Sequence, residues 1–250
     1  MDKKINLLAS ISLIVIAIAA VIMAFNSGVI KIVNTTEDQR NTITVSGNAE
    51  LEVEPNQAEI YVRIETFNVK ADDAKDENAR ISDKVMKALK KSGIKNDDIE
   101  TSSFNLNPRY DYDRNKGESI LKGYTATNVL KVTTKDVDNA GKVIDVAVDN
   151  GANSIQSVNF GLTKETQKEM SGEALIRAAE VAKDKAESLA ASLGINLGKV
   201  ISVQESSFNF IPFAAPVAEM AVAKADGIET QIVPGNVEVR GSVTMAYEIK

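Results

Sequence analysis

Asp111-x-Asp113-x-Asn115 places oxygen-bearing side chains at the alternating positions that open a calcium loop. Two later positions break that pattern: the sixth is Lys116 where the loop needs glycine, and the twelfth is Lys122 where it needs a bidentate glutamate. The stretch reads better as a polar connection turning through Asn115-Lys116-Gly117. Ser92-Gly93-Ile94-Lys95 has the Ser-x-x-Lys spacing of some hydrolases, in which the amine assists the serine's proton transfer. Here the motif straddles a helix stop rather than a helix start. Asp72-Asp73 suits the first turn of a helix and Asp97-Asp98 a solvated loop, so neither pair reads as an acid–base couple. No glycine-rich loop of the phosphate-cradling kind is present.

Histidine and cysteine are both absent. That removes the commonest general base, the commonest transition-metal ligand, thiolate nucleophiles and disulfides together. Catalysis is not expected, and neither is a cofactor or a metal. A hydrolase working with carboxylates or serine alone is the alternative class. With 29 basic and 35 acidic side chains the formal charge is −6, which opposes the phosphate neutralisation that drives most nucleic-acid binding. Nucleic acid is therefore not an expected partner.

Around these residues the chain has a plain organisation. Residues 1–4 carry Lys3 and Lys4, and Ile5 to Phe25 follow without a charged side chain. At 1.5 Å per residue that run spans a hydrocarbon core of about 30 Å. Ala17-Ile18-Ala19 offers a small-x-small triplet, but the apolar run continues past it. An uncleaved transmembrane anchor is favoured over a cleaved signal. The positive-inside rule puts the N-terminus in the cytoplasm and everything beyond residue 25 outside, in periplasm or at a cell surface. Residues 26–40 are polar and aperiodic, a short tether.

From 41 to 250 the patterning is that of an α+β domain. Alternation over Ile43–Val53 and Ala58–Thr66 predicts two strands. Helical spacing predicts a helix over 71–92, with Ala74, Ile81, Val85, Ala88 and Leu89 on its buried face. Its late lysines, Lys87, Lys90 and Lys91, are accounted for by complementarity to the helix dipole and by solvation. Strands through Phe104–Tyr110 and Tyr124–Thr134 follow, joined by Asp111–Gly123. Next come a helix through Val137–Ala147, a strand over Ile155–Leu162 and a helix with Leu175, Ala178, Ala182, Leu189 and Leu193 inward. Strands at Lys199–Glu205 and Gly235–Ile249 end the chain. The order is ββαββαβαββ. Residues 57–163 read βαββαβ, the split βαβ succession of ferredoxin-like folds. The first strand, the third helix and the last two strands are expected to form a second αβ layer.

One connection stands out. Ser206–Val233 is long for a compact domain and too rich in aromatic and aliphatic residues for simple disorder. Phe208, Phe210, Ile211, Phe213, Val217 and Met220 make it a candidate interaction arm. It either folds back on its own domain or meets a neighbouring subunit, lipid or a ligand.

In order and spacing the exported part resembles the SIMPL-domain family. The carriers are Ile43-Thr44-Val45-Ser46-Gly47, Gly93-Ile94 through Asp98-Ile99-Glu100-Thr101 to Pro108-Arg109-Tyr110, and Gly123-Tyr124-Thr125-Ala126. Gly151-Ala152-Asn153-Ser154-Ile155, Phe160, the alanine-rich helix ending Leu193-Gly194 and the terminal Pro234-Gly235 complete the series. The resemblance implies an exported or anchored αβ domain without an established catalytic site, and some members assemble into rings or channel-like oligomers. It assigns Gly47, Gly123 and Gly151 to tight backbone, and Tyr110, Tyr124 and Phe160 to core packing. The expected function is that of a noncatalytic, membrane-anchored extracytoplasmic protein acting by self-assembly, as a homo-oligomer, or by binding an envelope protein partner. A stress-protective surface protein that binds small molecules is a further alternative.

Overall fold

A computed structural model describes residues 41–205, 209–215 and 230–250. The apolar segment 5–25, the tether 26–40, and Phe208, Val217 and Met220 of the arm lie outside the described residues. Among the described residues no helix is long and apolar enough to cross a membrane.

The strands and helices run β1 (Thr42–Val53), β2 (Gln57–Asn68), α1 (Ala71–Lys91), β3 (Ile99–Asp113), β4 (Glu118–Thr134), α2 (Ala140–Asp149), β5 (Ser154–Gly161), α3 (Lys164–Leu193), β6 (Leu197–Glu205), β7 (Asn209–Ile211), β8 (Phe213–Ala215) and β9 (Val237–Ile249). They build two antiparallel sheets. One has the order β3-β4-β2-β5-β8; the other has the order β1-β9-β6, with β7 also on β9. The βαββαβ succession expected over 57–163 is β2-α1-β3-β4-α2-β5, and its strands lie in the order β3-β4-β2-β5.

The larger layer holds the main core. Ala58, Ile60, Val62 and Ile64 of β2 alternate inward and are fully buried with Val85 and Leu89 of α1, Leu130 and Val132 of β4, and Val158 and Phe160 of β5. On α1 the inward stripe is Ala74, Asn78, Ser82, Val85 and Leu89, with Ile81 only partly buried against it. Two polar residues sit in that stripe because strand carbonyls below it need donors. The Asn78 Nδ2 group donates to the Ile64 and Ala126 carbonyls at 2.9 and 3.0 Å, and Asn78 Oδ1 accepts from Ser82 Oγ at 3.3 Å. The network satisfies a buried amide that would otherwise cost a few kcal/mol, on the order of 1–3 per missing bond.

The second layer is the one expected from the two chain ends and the third helix. β1 and β9 pair along their whole length, from Thr42 opposite Glu248 to Val53 opposite Val237. Helix α3 begins at Thr163, whose side chain accepts from Thr166 N–H, and ends at Gly194 in the left-handed region, φ 68°. Of the residues predicted inward on α3, Ala178 and Ala182 are buried and Leu175 is partly buried, but the helix turns no leucine fully into the core. Its buried residues are Ala174, Ala178, Ala182, Ala186 and Ala190, while Leu189 and Leu193 are exposed. The reason is distance. A Cβ on Gly47 of β1 would lie 2.0 Å from the Ala178 carbonyl oxygen, so helix and sheet approach too closely for a leucine between them.

The link between β3 and β4 also differs from expectation. Asp111–Gly123 is mostly strand, and only Arg114–Gly117 turns. Cross-strand pairing extends the hairpin to Asp113 opposite Glu118.

Candidate functional site

The residues that could have carried chemistry are occupied structurally. Asp113 Oδ1 accepts from the backbone N–H groups of Asn115 and Lys116 at 2.9 and 3.4 Å, closing the hairpin turn. Asp111 sits on the strand with Lys122 Nζ 4.0 Å away. The Ser92 hydroxyl donates to the Leu89 carbonyl at 2.8 Å at the end of α1. Asp72 pairs with Lys75 in the first turn of the same helix. Asp97 and Asp98 form a short turn of 3₁₀-helix. Among the described residues no group of three or more acidic side chains is placed to hold a metal ion.

The described half of the apolar arm is a strap across both layers. Phe210 of β7 pairs with Val239 of β9 in the smaller sheet and packs on Leu51, Leu162, Ala174, Val237 and Val239. Three residues later, beyond Pro212, Phe213 of β8 pairs with Phe160 of β5 in the larger sheet, their ring centroids 6.4 Å apart. Phe210 and Phe213 are therefore partly buried in their own domain, which is the fold-back alternative expected for this part of the arm. Bridging two sheets lets each aromatic ring cover an edge of a core that its layer leaves open. Ile211, between them, faces out and is 39% exposed. The strap's far end is clipped to α2, where Asp145 accepts from the Thr230 N–H and hydroxyl at 3.1 and 2.6 Å.

The surface that remains open lies elsewhere. β3 is the outer strand of the larger sheet, and every residue from Glu100 to Tyr112 is exposed. β2 stops at Asn68 opposite Tyr124, so the hairpin beyond it, Arg109–Asp113 with Glu118–Gly123, is flanked by no third strand among the described residues. This two-stranded ribbon projects about 15 Å past the sheet at roughly 3.4 Å per residue. Register places Tyr110 opposite Leu121 and Tyr112 opposite Ser119, hence Tyr110, Tyr112 and Leu121 on one face. The two tyrosines are 59% and 61% exposed, which removes Tyr110 from the core role implied by resemblance. Phe104 and Leu106 extend the apolar surface down β3, and the Arg109 guanidinium stacks 5.5 Å from the centre of the exposed Phe67 ring. Phe160, by contrast, is fully buried, and Tyr124 is partly so. Isolated two-stranded ribbons of this kind gain little stability alone. A face of two tyrosines and a leucine has the amphipathic composition of protein contact surfaces.

Next to the ribbon, the face of the larger sheet opposite its helices is polar. Lys131 of β4 lies between Glu100 at 3.0 Å and Glu59 at 3.9 Å. Its ammonium is held above the usual lysine range by the hydrogen bond to Glu100, against the opposing effect of desolvation. The Tyr61 phenol beside it is pushed up by burial and by the charge of Glu59. These groups form an electrostatic lattice over the sheet and bring no nucleophile to a base.

Reasoning from sequence did not identify the ribbon. The signal was the alternation Tyr110-Asp111-Tyr112-Asp113, which the calcium-like spacing of the same aspartates obscured. β6 was recognised as a strand, but not as a second exposed edge carrying Val200, Ile201 and Val203.

Comparison with known proteins gives this architecture its relatives. A family model described as SIMPL, a protein of unknown function (DUF541), matches residues 43–247. The 26 kDa periplasmic immunogenic protein of Brucella melitensis is 30% identical over 223 residues, covering 86% of this chain and 87% of that protein. The uncharacterized protein YggE of Escherichia coli K12 is 32% identical over 221 residues, covering 87% of this chain and 85% of its own length. YggE of Edwardsiella ictaluri is 32% identical over 174 residues, covering 68% and 70% respectively. The Brucella relative, named as periplasmic, points to an extracytoplasmic domain. The match along the whole of the folded region, from β1 into β9, makes this chain a member of the SIMPL family.

Proposed function

We propose that this protein is a noncatalytic extracytoplasmic domain, held at a membrane by residues 5–25, that works by associating with further copies of itself or with an envelope protein. The observation that carries the reading is the projecting β3–β4 ribbon, with Tyr110, Tyr112 and Leu121 on one exposed face. An edge strand exposes unpaired backbone donors and acceptors, but Pro108 and the register shift at Arg109/Tyr110 guard the outer part of β3 against adding another strand. The ribbon therefore acts through its side chains, and the guarded edge limits indiscriminate sheet growth. Of the residues whose spacing suggested chemistry, Asp113 closes a turn, Ser92 caps a helix, and Asp72 and Asp111 pair with lysines, which supports a role without turnover.

The test is the mass of the full-length protein in mild detergent, by light scattering during size-exclusion chromatography. Wild type is expected as an oligomer, or in a stable complex when envelope extract is the source. Tyr110→Ser, Tyr112→Ser and Leu121→Ser together should reduce that mass while leaving the melting temperature within a few degrees. An unchanged mass in the triple variant would reject the ribbon as the contact. The anchor is tested separately by N-terminal sequencing of the native protein in the membrane fraction, where a new terminus near residues 20–28 would reject retention.

A further inference from the structure

An open groove of about 500 Å³ runs along the outer face of α1, lined by Arg80, Asp83, Lys84, Lys87, Ala88 and Lys91 and bordered by Asn150 at the end of α2. Arg80, Lys84, Lys87 and Lys91 follow the spacing i, i+4, i+7, i+11, which sets four cations in one row about 16 Å long at 1.5 Å per residue. Asp83 is the one acid in the lining, and it is already paired with Lys87 at 2.6 Å. Arg80, Lys84 and Lys91 have no carboxylate within ion-pair distance among the described residues. Asp149, adjacent to Asn150 in sequence, has an interaction of its own.

Two ordinary explanations for such a row fall short. Complementarity to the helix dipole reaches only about the last turn, which covers Lys90 and Lys91 but neither Arg80 nor Lys84. Among the described residues i,i+4 support reaches Lys87 alone, from Asp83, whereas Arg80 with Lys84, Lys84 with Lys87, and Lys87 with Lys91 are like-charge neighbours at i+4, i+3 and i+4. Each such pair weakens the helix slightly. The helix therefore holds a locally unfavourable row of charge in a chain whose net charge is −6.

We infer that this groove is a binding site for a linear phosphate-bearing polyanion, whose successive charges relieve the repulsion along Arg80, Lys84, Lys87 and Lys91. A single phosphate satisfies one or two of these groups and leaves the row unneutralised. A flat bilayer meets the outermost cations but does not fill the groove. A chain of phosphates follows the whole row, and Arg80 supplies a planar fork for two oxygens of one group.

The experiment is calorimetric titration of the full-length protein, in non-ionic detergent, with short linear polyphosphate. Wild type should bind with an affinity that falls steeply as salt is raised, and the combined Arg80→Gln, Lys84→Gln, Lys91→Gln variant should lose about tenfold or more while showing a shallower salt slope. Lys90→Gln, a change on the same helix outside the groove lining, should bind as wild type does. Circular dichroism melting confirms that each variant is folded. Absence of binding to wild type, or equal affinity in the triple variant and wild type, overturns the inference. So does orthophosphate competing as well as polyphosphate at equal phosphorus, or a charge-dependent response seen only with phosphatidylglycerol vesicles.

Discussion

Asp145 on α2 receives both the N–H and the hydroxyl of Thr230, and a Cβ on the neighbouring Gly141 would lie 1.7 Å from the Thr230 carbonyl oxygen. One short helix thus fastens the end of the long connection by a paired hydrogen bond and a fitted backbone contact. Asp145→Ala should lower stability by about 1.5–3 kcal/mol, the range for hydrogen bonds to a charged group. The measurement is a urea denaturation midpoint. Asp145→Asn, which keeps an acceptor for Thr230, should recover part of the loss, and no difference between the two variants would dismiss the clip.

The close approach of β1 to α3 makes a second prediction. With the Ala178 oxygen at 2.0 Å and the Ala182 nitrogen at 2.5 Å from a Cβ placed on Gly47, Gly47→Val has to push the helix off the sheet. Overpacking of this kind costs about 1–3 kcal/mol. The thermal midpoint should fall, and the loss should exceed that of Ser46→Val at the neighbouring exposed position.

Phe213 separates packing from assembly. Its contact with the Phe160 ring and the main core means that Phe213→Ser should cost about 2 kcal/mol or more of stability, with no change in oligomer mass under folding conditions. Ile211→Ser, at the exposed position between the two strap strands, should cost little. If wild type forms the proposed oligomer, its dissociation by Phe213→Ser at a temperature where the variant is still folded would return the strap to the list of contact surfaces.

Alkaline pH should weaken the polar face of the larger sheet. Both Lys131 and Tyr61 have folded-state values raised above their ordinary ones. The stabilisation they bring is therefore fully present below the unfolded value, near pH 10, and is lost as pH rises through the folded value. Denaturant midpoints measured from neutral pH to about pH 11 should be level and then fall. Tyr61→Phe should make the fall shallower, and an identical profile in that variant would remove the phenol from the account.

Most of the architecture was legible in the sequence because it rests on period alone. The alternation of β1, β2 and β9 and the helical spacing of α1 gave their elements to within a few residues, and the similar segments around Val45 and Val239 pointed to the sheet the two ends share. The failures were local and have physical causes. Leu189 and Leu193 look more core-like than Ala186 and Ala190 on any hydrophobic scale, but the glycine-lined sheet admits only the smaller side chains. Asn78 and Ser82 are polar, and nothing in spacing discloses the two carbonyls that draw Asn78 inward. The ribbon was hidden because a strand exposed on both faces has no buried residue to set its alternation against. The late lysines Lys87, Lys90 and Lys91 were visible, but the row that Lys87 and Lys91 form with Arg80 and Lys84, and the groove along it, required coordinates.

The pairing of β1 with β9 also governs time. Ser46 and Thr244 share a hydrogen bond across 198 residues of chain, and β1, β6 and β7 all take β9 as their sheet partner. During synthesis the first strand made has to wait for the last, while the βαββαβ layer between them can close early from shorter-range contacts. A chain cut short before Val237 would leave three strands without a neighbour at once. Completion of the final strand is thus the step that commits the second layer to fold, and a premature stop there should yield a protein marked for degradation despite an intact first layer.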